Sequence, residues 1–362
     1  MRDILLLGPL PNPTTGVSLA NKIVVEGLSN NNQFKIDFIN TSYNKFEEKL
    51  GTFSLFKALF YLKLNFYVYK ILRADIVYVT PGQTFFGVLK YSVFILLSNL
   101  FGKELIIHVH GNYLGKEYTL LKGFKKLVFK WILNKATKGI VLSESLKGNM
   151  SPFIEENNIF VLHNFVENFL CQDKKIVFQE SNESNPRIIF LSNLMQEKGI
   201  LDLLEALKIL EAEGFTFEAK IAGNIDAKNK IAINKYFHEL RNVEYCGIVS
   251  GNEKKDLLNW GNIFVLPTYY EMEGQPISIL EAMATANLIL TTNHAGIADV
   301  FQDGINGFYV EKKNPMSIVS NILKTVHNCE LSNSIRIKNF LLAKRKYSVN
   351  NFISNFINII ES

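Results

Sequence analysis

Ile263-Phe264-Val265-Leu266-Pro267, followed by Glu273-Gly274-Gln275-Pro276-Ile277-Ser278-Ile279-Leu280-Glu281-Ala282-Met283-Ala284 and then Leu288-Ile289-Leu290, is the stretch that decides the fold. A β-branched run, a Gly- and Pro-containing loop, a helical pattern and a second apolar run make the strand–helix–strand unit of a parallel sheet. Glu273 falls in the strand-to-helix loop, Glu281 about one turn into the helix, and the N–H groups near Ile277 and Ser278 sit at the helix start, facing the same cleft. Such an arrangement suits a nucleotide sugar, with amides for the diphosphate and carboxylates for sugar and ribose hydroxyls. Either glutamate alone is better read as a solvated helix charge; the twelve-residue context reverses that preference.

Outward from this unit the same alternation continues. Strands are expected at 187–191, 217–222, 243–246, 263–267, 288–292 and 308–310, with helices at 199–213, 226–240, 252–259 and 277–286. Upstream, strands are expected near 3–8, 34–40, 75–79, 104–109, 138–142 and 159–163, with helices at 16–29, 54–72, 84–100 and 118–133. Residues 165–186 are polar and irregular, and Gln179-Glu180-Ser181-Asn182-Glu183-Ser184-Asn185-Pro186 has almost nothing to bury. The pattern predicts an α/β protein of two Rossmann-like, doubly wound domains facing each other across a cleft: residues 1–165, a linker at 166–186, and residues 187–345. Beyond Asn314-Pro315 the chain reads as helical to its end, with 346–362 packing back towards the first domain.

At 362 residues, 48% hydrophobic and 20% charged, the chain is long enough for two cores and too apolar for disorder. Its net charge of +5 is unevenly spread: residues 1–168 hold 19 Lys and Arg against 12 Asp and Glu, and the remainder hold 20 against 22. The first half is therefore expected to meet something anionic. Cys171, Cys246 and Cys329 are odd in number and far apart, which argues against a disulfide framework or a cysteine zinc site. Met1-Arg2-Asp3 runs straight into Ile4-Leu5-Leu6-Leu7, so an unexported, cytoplasmic chain is expected. The longest apolar stretch, 85–101, is broken by Lys90, Ser92, Ser98 and Asn99, and no membrane span is expected. There is no D-x-D triplet and no His or Cys cluster, so neither a catalytic metal nor another cofactor is expected.

The stretch from Glu273 to Glu281 resembles the E-x7-E motif of the retaining, GT-B-fold glycosyltransferases of the group 1 type, which use nucleotide-activated sugars. Other segments agree in order and spacing: Gly8-Pro9-Leu10-Pro11 before Gly16-Val17-Ser18; His108-Val109-His110-Gly111; Leu191-Ser192-Asn193-Leu194-Met195-Gln196-Glu197-Lys198-Gly199; Ala222-Gly223; and Gly296-Ile297 before Asp303-Gly304-Ile305-Asn306-Gly307. The likeness covers nearly the whole chain and is strongest over 187–310. It implies that His110 and Glu273 are catalytic, contacting the donor sugar, and that Glu281 holds the ribose. It implies donor binding by Gly16, Asn193, Lys198, Gly274, Gln275, Pro276, Ile277 and Glu281, with Lys198 on the diphosphate. Asn193 stands where the family usually has an arginine, so the diphosphate should lean harder on Lys198 and backbone amides. A lysine at a helix start opposes the helix dipole, itself mild evidence for a bound anion. His108, read as lying on the opposite pleat from His110, is taken as structural. The resemblance further implies same-face substitution with retention.

The basic excess concentrates at Lys116, Lys122, Lys125, Lys126, Lys130, Lys135 and Lys138, interleaved at helical spacing with Phe124, Leu127, Val128, Phe129, Trp131, Ile132 and Leu133. A basic, aromatic, amphipathic helix is what a peripheral contact with anionic membrane looks like, through Lys122, Lys125, Lys126 and Lys130. The alternative is an ordinary helix with its apolar face on the sheet. The expected function is transfer of a sugar from a nucleotide diphosphate donor to a carbohydrate or lipid-linked acceptor, in cell-surface polysaccharide or lipopolysaccharide synthesis. Two rivals are a nucleotide-sugar 2-epimerase on the same fold, which needs no acceptor, and a basic nucleic-acid- or membrane-binding protein without transferase activity. Nucleic acid is the less expected partner, because the lysines lack a recognised nucleic-acid module.

Overall fold

The computed structural model describes residues 1–43, 55–171 and 185–362. The chain divides into two compact units, one formed by Met1–Asn164, Met272–Gln275 and Phe352–Ser362, the other by Phe165–Glu271 and Pro276–Asn351.

The first unit is built on strands β1 (Arg2–Gly8), β2 (Phe34–Asn40), β3 (Ile76–Val79), β4 (Glu104–Val109), β5 (Lys138–Val141) and β6 (Ile159–Val161). They pair in parallel in the order β2-β1-β3-β4-β5-β6. Ile76, Val77, Tyr78 and Val79 of β3 are all buried, as are Leu105, Ile106 and Ile107 of β4, which is why these strands read as continuous apolar runs and not as alternations. The order reverses between β1 and β3, which makes the carboxyl ends of those strands the place where an open sheet of this kind takes a ligand.

Helix Gly16–Ser29 follows β1 and opens on a reciprocal cap between Thr15 and Ser18. The helix expected over 84–100 is instead two, Phe85–Leu89 and Ser92–Leu100. Tyr91, at the break, is buried and hydrogen-bonded through Oη to Thr41 Oγ1 at 2.8 Å, a long-range bond that local periodicity cannot register. The helix expected over 118–133 is likewise two, Leu114–Leu120 and Gly123–Leu133, parted by an extended Leu121 and by Gly123 at φ 53°. In place of 54–72, helix Leu55–Leu64, a turn at Asn65–Tyr67 and a short helix Lys70–Arg73 follow in succession; Ser54 lies outside the described residues. The C-terminal helix Val349–Glu361 joins this unit from Phe352 onward. Phe356 meets the Tyr78 ring edge-on at 5.1 Å, and Arg2 and Lys138 donate to the carbonyls of Ile360 and Ile359 at 2.9 and 3.0 Å. Cations on the last carbonyls complement the helix dipole.

The second unit carries β7 (Arg187–Leu191), β8 (Glu218–Ala222), β9 (Val243–Tyr245), β10 (Ile263–Leu266), β11 (Leu288–Thr291) and β12 (Gly307–Tyr309). Their parallel order, β12-β11-β10-β7-β8-β9, is the 3-2-1-4-5-6 arrangement of dinucleotide-binding sheets, with its switch point between β7 and β10. Helices Ile200–Ala212, Lys230–Glu239, Gly251–Trp260 and Ile277–Ala284 connect the strands, and Pro315–His327 and Cys329–Lys346 follow the last one. Asn314 caps the first of these with Pro315 at its first position.

Two boundaries differ from expectation. Val166 and Leu170 are buried in the core of the second unit, so the polar segment begins later than 165; residues 172–184 lie outside the described residues. Met272–Gln275 cluster with the first unit, so the twelve-residue stretch changes unit between Gln275 and Pro276.

Candidate functional site

In the first unit the chain around Met272–Gln275 is laid against the end of β4. A Cβ on Gly274 would come within 2.7 Å of the His110 carbonyl oxygen and 3.1 Å of Gly111 Cα, and one on Gly111 within 2.5 Å of the Met272 carbonyl oxygen. Only glycine at both positions allows this backbone approach, and it brings His110 together with the loop that holds the buried Glu273, although 163 positions separate them. Gln275, expected among the donor-binding residues, has its amide engaged inside this unit. Its Oε1 accepts from Asn164 N at 2.7 Å, and its Nε2 lies 3.2 Å from the Leu142 carbonyl and 2.9 Å from His163 Nδ1. Gln275 therefore anchors the loop.

His108 does not lie on the opposite pleat from His110. Residues i and i+2 of a strand share a face, and the two rings sit 3.9 Å apart, centroid to centroid. Tyr78 Oη is 2.6 Å from His108 Nδ1, while the buried Nε2 atoms of both histidines have no hydrogen-bond partner among the described residues. Burial pushes the His110 imidazole down to about 3, and burial together with the neighbouring His110 pushes His108 well below its ordinary value. Both rings are neutral near pH 7. Gly16 starts its helix at the carboxyl end of β1, beside the switch point of this sheet. At Gly8, which ends β1, a Cβ would strike Thr80 Oγ1 and Asn21 Nδ2.

In the second unit the loops after β7 and β10 meet at the switch point. Lys198 ends a helical turn, Gln196–Lys198, and Gly199 turns the chain at φ 78° into helix Ile200–Ala212, where a Cβ would meet the Pro267 carbonyl oxygen at 2.5 Å. Tyr269 N donates to the Glu197 carbonyl at 2.8 Å, fastening the two loops, and Lys198 Nζ lies 5.1 Å over the Tyr270 ring. Asn193 is exposed in the loop after β7. Pro276 precedes Ile277, the first residue of helix Ile277–Ala284, whose start no side chain caps. The amides at that end are oriented for an acceptor from outside the helix.

Glu281, one turn further, is buried and ion-paired. Lys254 Nζ lies 2.6 Å from Glu281 Oε1 and 2.7 Å from Glu167 Oε2. Burial alone would push the Lys254 ammonium down, but Glu281 and Glu167 outweigh it and hold it above its ordinary value. Sequence reading missed Lys254, Glu167, Tyr270 and Gln83, whose Oε1 accepts from Tyr113 N at 2.5 Å. None sits in a patterned stretch, and each is brought to its place by tertiary structure alone. Among the described residues no three His, Cys, Asp or Glu side chains come together as a metal ion requires, and no helix is long and apolar enough to cross a membrane.

Residues 172–339 match the family of group 1 glycosyl transferases. The chain is 29% identical over 236 residues to the capsular polysaccharide biosynthesis glycosyltransferase CapM of Staphylococcus aureus, covering 61% of each chain. It spans about three fifths or less of the length of the first curated relatives it matches. Among solved structures it is similar to Anabaena Alr3699/HepE in complex with UDP-glucose, at 13% identity, TM-score 0.75 and full coverage of both chains. Sucrose-phosphate synthase from Thermosynechococcus elongatus gives TM-score 0.77 at 13% identity, over 100% of this chain and 98% of that one. At such identities these likenesses establish the fold, the GT-B class expected from the sequence.

Proposed function

We propose that this chain, whose residues 172–339 belong to the group 1 glycosyl transferase family, moves a sugar from a nucleoside diphosphate sugar to a carbohydrate or lipid-linked saccharide acceptor. The observation that carries the reading is Lys198 over Tyr270 at the β7–β10 switch point of a sheet with dinucleotide-binding order. A cation held beside a ring in the loops after β7 and β10, together with the uncapped start of the helix that follows β10, suits a diphosphate. UDP-glucose bound to HepE supports the donor class, and the role of CapM in capsular polysaccharide biosynthesis supports cell-surface polysaccharide, with lipopolysaccharide as a related product.

In this reading Lys198 and the helix amides carry the charge that develops on the leaving diphosphate, without a metal. Glu281 accepts from the ribose hydroxyls, and Glu273 and the neutral His110 address the donor sugar. The acceptor hydroxyl attacks on the face the diphosphate leaves, so the configuration is retained. Asn193, Pro276 and Ile277 in the second unit, and Gly16 and Gly274 in the first, are given donor contacts through backbone and amide groups. Work at the cytoplasmic face of a membrane, through Lys122, Lys125, Lys126 and Lys130, is supported by helix Gly123–Leu133, which leaves Phe124 79% and Leu127 70% exposed beside these lysines.

The test is a panel of nucleotide sugars assayed with and without saccharide acceptors. Nucleoside diphosphate should be released only when donor and acceptor are both present. A product epimeric at the sugar's second carbon, formed without acceptor, would establish the 2-epimerase instead.

A further inference from the structure

Glu281, in the function proposed for this chain, holds the ribose hydroxyls, and any role for its ion-pair partner rests on that reading. A ribose diol is neutral and offers two O–H donors, so its partner must be an ionised carboxylate with a fixed orientation. Burial alone works against both requirements: it disfavours the charged form and supplies no dipole to aim the oxygens. The second unit opposes this with an ammonium: burial raises the Glu281 carboxyl above its ordinary value, and Lys254 pulls it back down. Lys254 comes from helix Gly251–Trp260, Glu281 from helix Ile277–Ala284 and Glu167 from the segment that enters this unit's core. Lys254 Nζ lies within 2.7 Å of both carboxylates, and its side chain is 13% exposed.

We propose that Lys254 is the positioning residue of nucleoside recognition: it keeps Glu281 ionised and aimed, so that the preference for a ribonucleotide over its 2′-deoxy analogue depends on Lys254 as much as on Glu281. Lys254 acts through Glu281 and need not touch the ligand. Glu167 is the second tether. It turns a two-point pair into a three-point one, so Lys254 cannot swing towards the diphosphate without abandoning a buried carboxylate. The cation is therefore committed to Glu281 and does not replace the charge missing at Asn193.

The experiment measures binding of UDP, 2′-deoxy-UDP and inorganic diphosphate by calorimetry to wild type, Glu281→Gln, Lys254→Met and Lys254→Arg. Because Lys254→Met strands the buried Glu281 and the half-buried Glu167 together, Lys254→Met combined with Glu167→Gln is included; it keeps the cluster's net charge but lacks the ammonium. Wild type should prefer UDP over 2′-deoxy-UDP by about tenfold, the worth of one hydrogen bond to a charged group. That ratio should fall towards one in Glu281→Gln and in the double variant, and Lys254→Arg should recover part of it. Inorganic diphosphate should bind all variants alike. A ratio unchanged in Glu281→Gln overturns the ribose reading and this proposal with it. A ratio lost in Glu281→Gln but kept in the double variant overturns the proposal alone, as does an equal loss of inorganic diphosphate.

Discussion

The imidazole of His108 lies against that of His110, with ring centroids 3.9 Å apart and planes 32° from parallel. Two rings so close and buried cannot both carry charge, and with His110 at about 3 neither does near pH 7. A group whose folded pKa is depressed in this way leaves the folded state binding fewer protons than the unfolded one. Its contribution is intact above the ordinary value of 6.5 and is lost as pH falls from there towards about 3. The urea midpoint should therefore drop between about pH 7 and pH 5, and drop less in His110→Gln. Equal pH slopes for the two proteins would show that His110 takes up protons in the fold as readily as in the unfolded chain. The pH profile of turnover should show no titration near 6.5 assignable to His110.

Lys198 is expected to be the main cation on the diphosphate, since Asn193 offers an amide where a guanidinium would otherwise stand. Lys198→Ala should weaken nucleoside diphosphate binding by about 2 kcal/mol, the scale of a charge-assisted hydrogen bond. Calorimetry checks this directly, and unchanged affinity would remove Lys198 from the site. Glu273→Gln should spare free nucleotide, which has no sugar to hold, whereas Glu281→Gln should weaken free nucleotide and donor alike.

The alternation of apolar runs and helical patterns was enough to read both sheets, because β3, β4, β7, β10 and β11 are buried runs bounded by turn residues. The breaks at Tyr91 and Gly123 were not legible: Tyr91 is buried with its hydroxyl on the distant Thr41, and Gly123 makes a left-handed turn inside an apolar pattern. The site divides in the same way. Lys198, Glu273 and Glu281 stand in patterned stretches, whereas Lys254 lies in the polar run Asn252-Glu253-Lys254-Lys255, where only the fold tells one lysine from the next. The placement of His108 needed no structure at all, because strand periodicity already puts it on the face of His110.

Gly199 and Gly214 both adopt left-handed backbone, at φ 78° and 73°, but only Gly199 is crowded. Gly214→Ala should cost about 1 kcal/mol, the strain of an L-residue in that region. Gly199→Ala should cost clearly more, because its Cβ would also have to displace the Pro267 carbonyl, and it should lower nucleotide affinity by moving Lys198. Denaturant titrations of the two variants check the order; equal losses would mean that the β7 and β10 loops can part without cost.

If Lys198 and backbone amides neutralise the leaving group, as proposed, turnover should persist in EDTA. Complete loss of activity that Mg²⁺ or Mn²⁺ restores would transfer that role to a cation.

Helix Gly123–Leu133 buries Phe129, Ile132 and Leu133 and leaves Phe124, Leu127 and Trp131 exposed, so its apolar residues serve two faces. Lys122, Lys125 and Lys126 crowd the helix start, where positive charge opposes the dipole unless an anion lies nearby. Against anionic headgroups each lysine contributes about 1 kcal/mol, screened by salt over roughly 8 to 10 Å. Replacing Lys122, Lys125, Lys126 and Lys130 by Gln should release the protein from anionic vesicles, while Leu127→Ser with Trp131→Ser should weaken binding in a way that salt does not mimic. Nucleotide affinity should be unchanged in both, because Lys198 and Glu281, the side chains given the diphosphate and the ribose, lie in the other unit, and turnover of a short soluble acceptor should survive. If the quadruple variant still sediments with anionic vesicles at low salt, or if wild type never does, the lysines are a solvated face and the exposed stripe serves another partner.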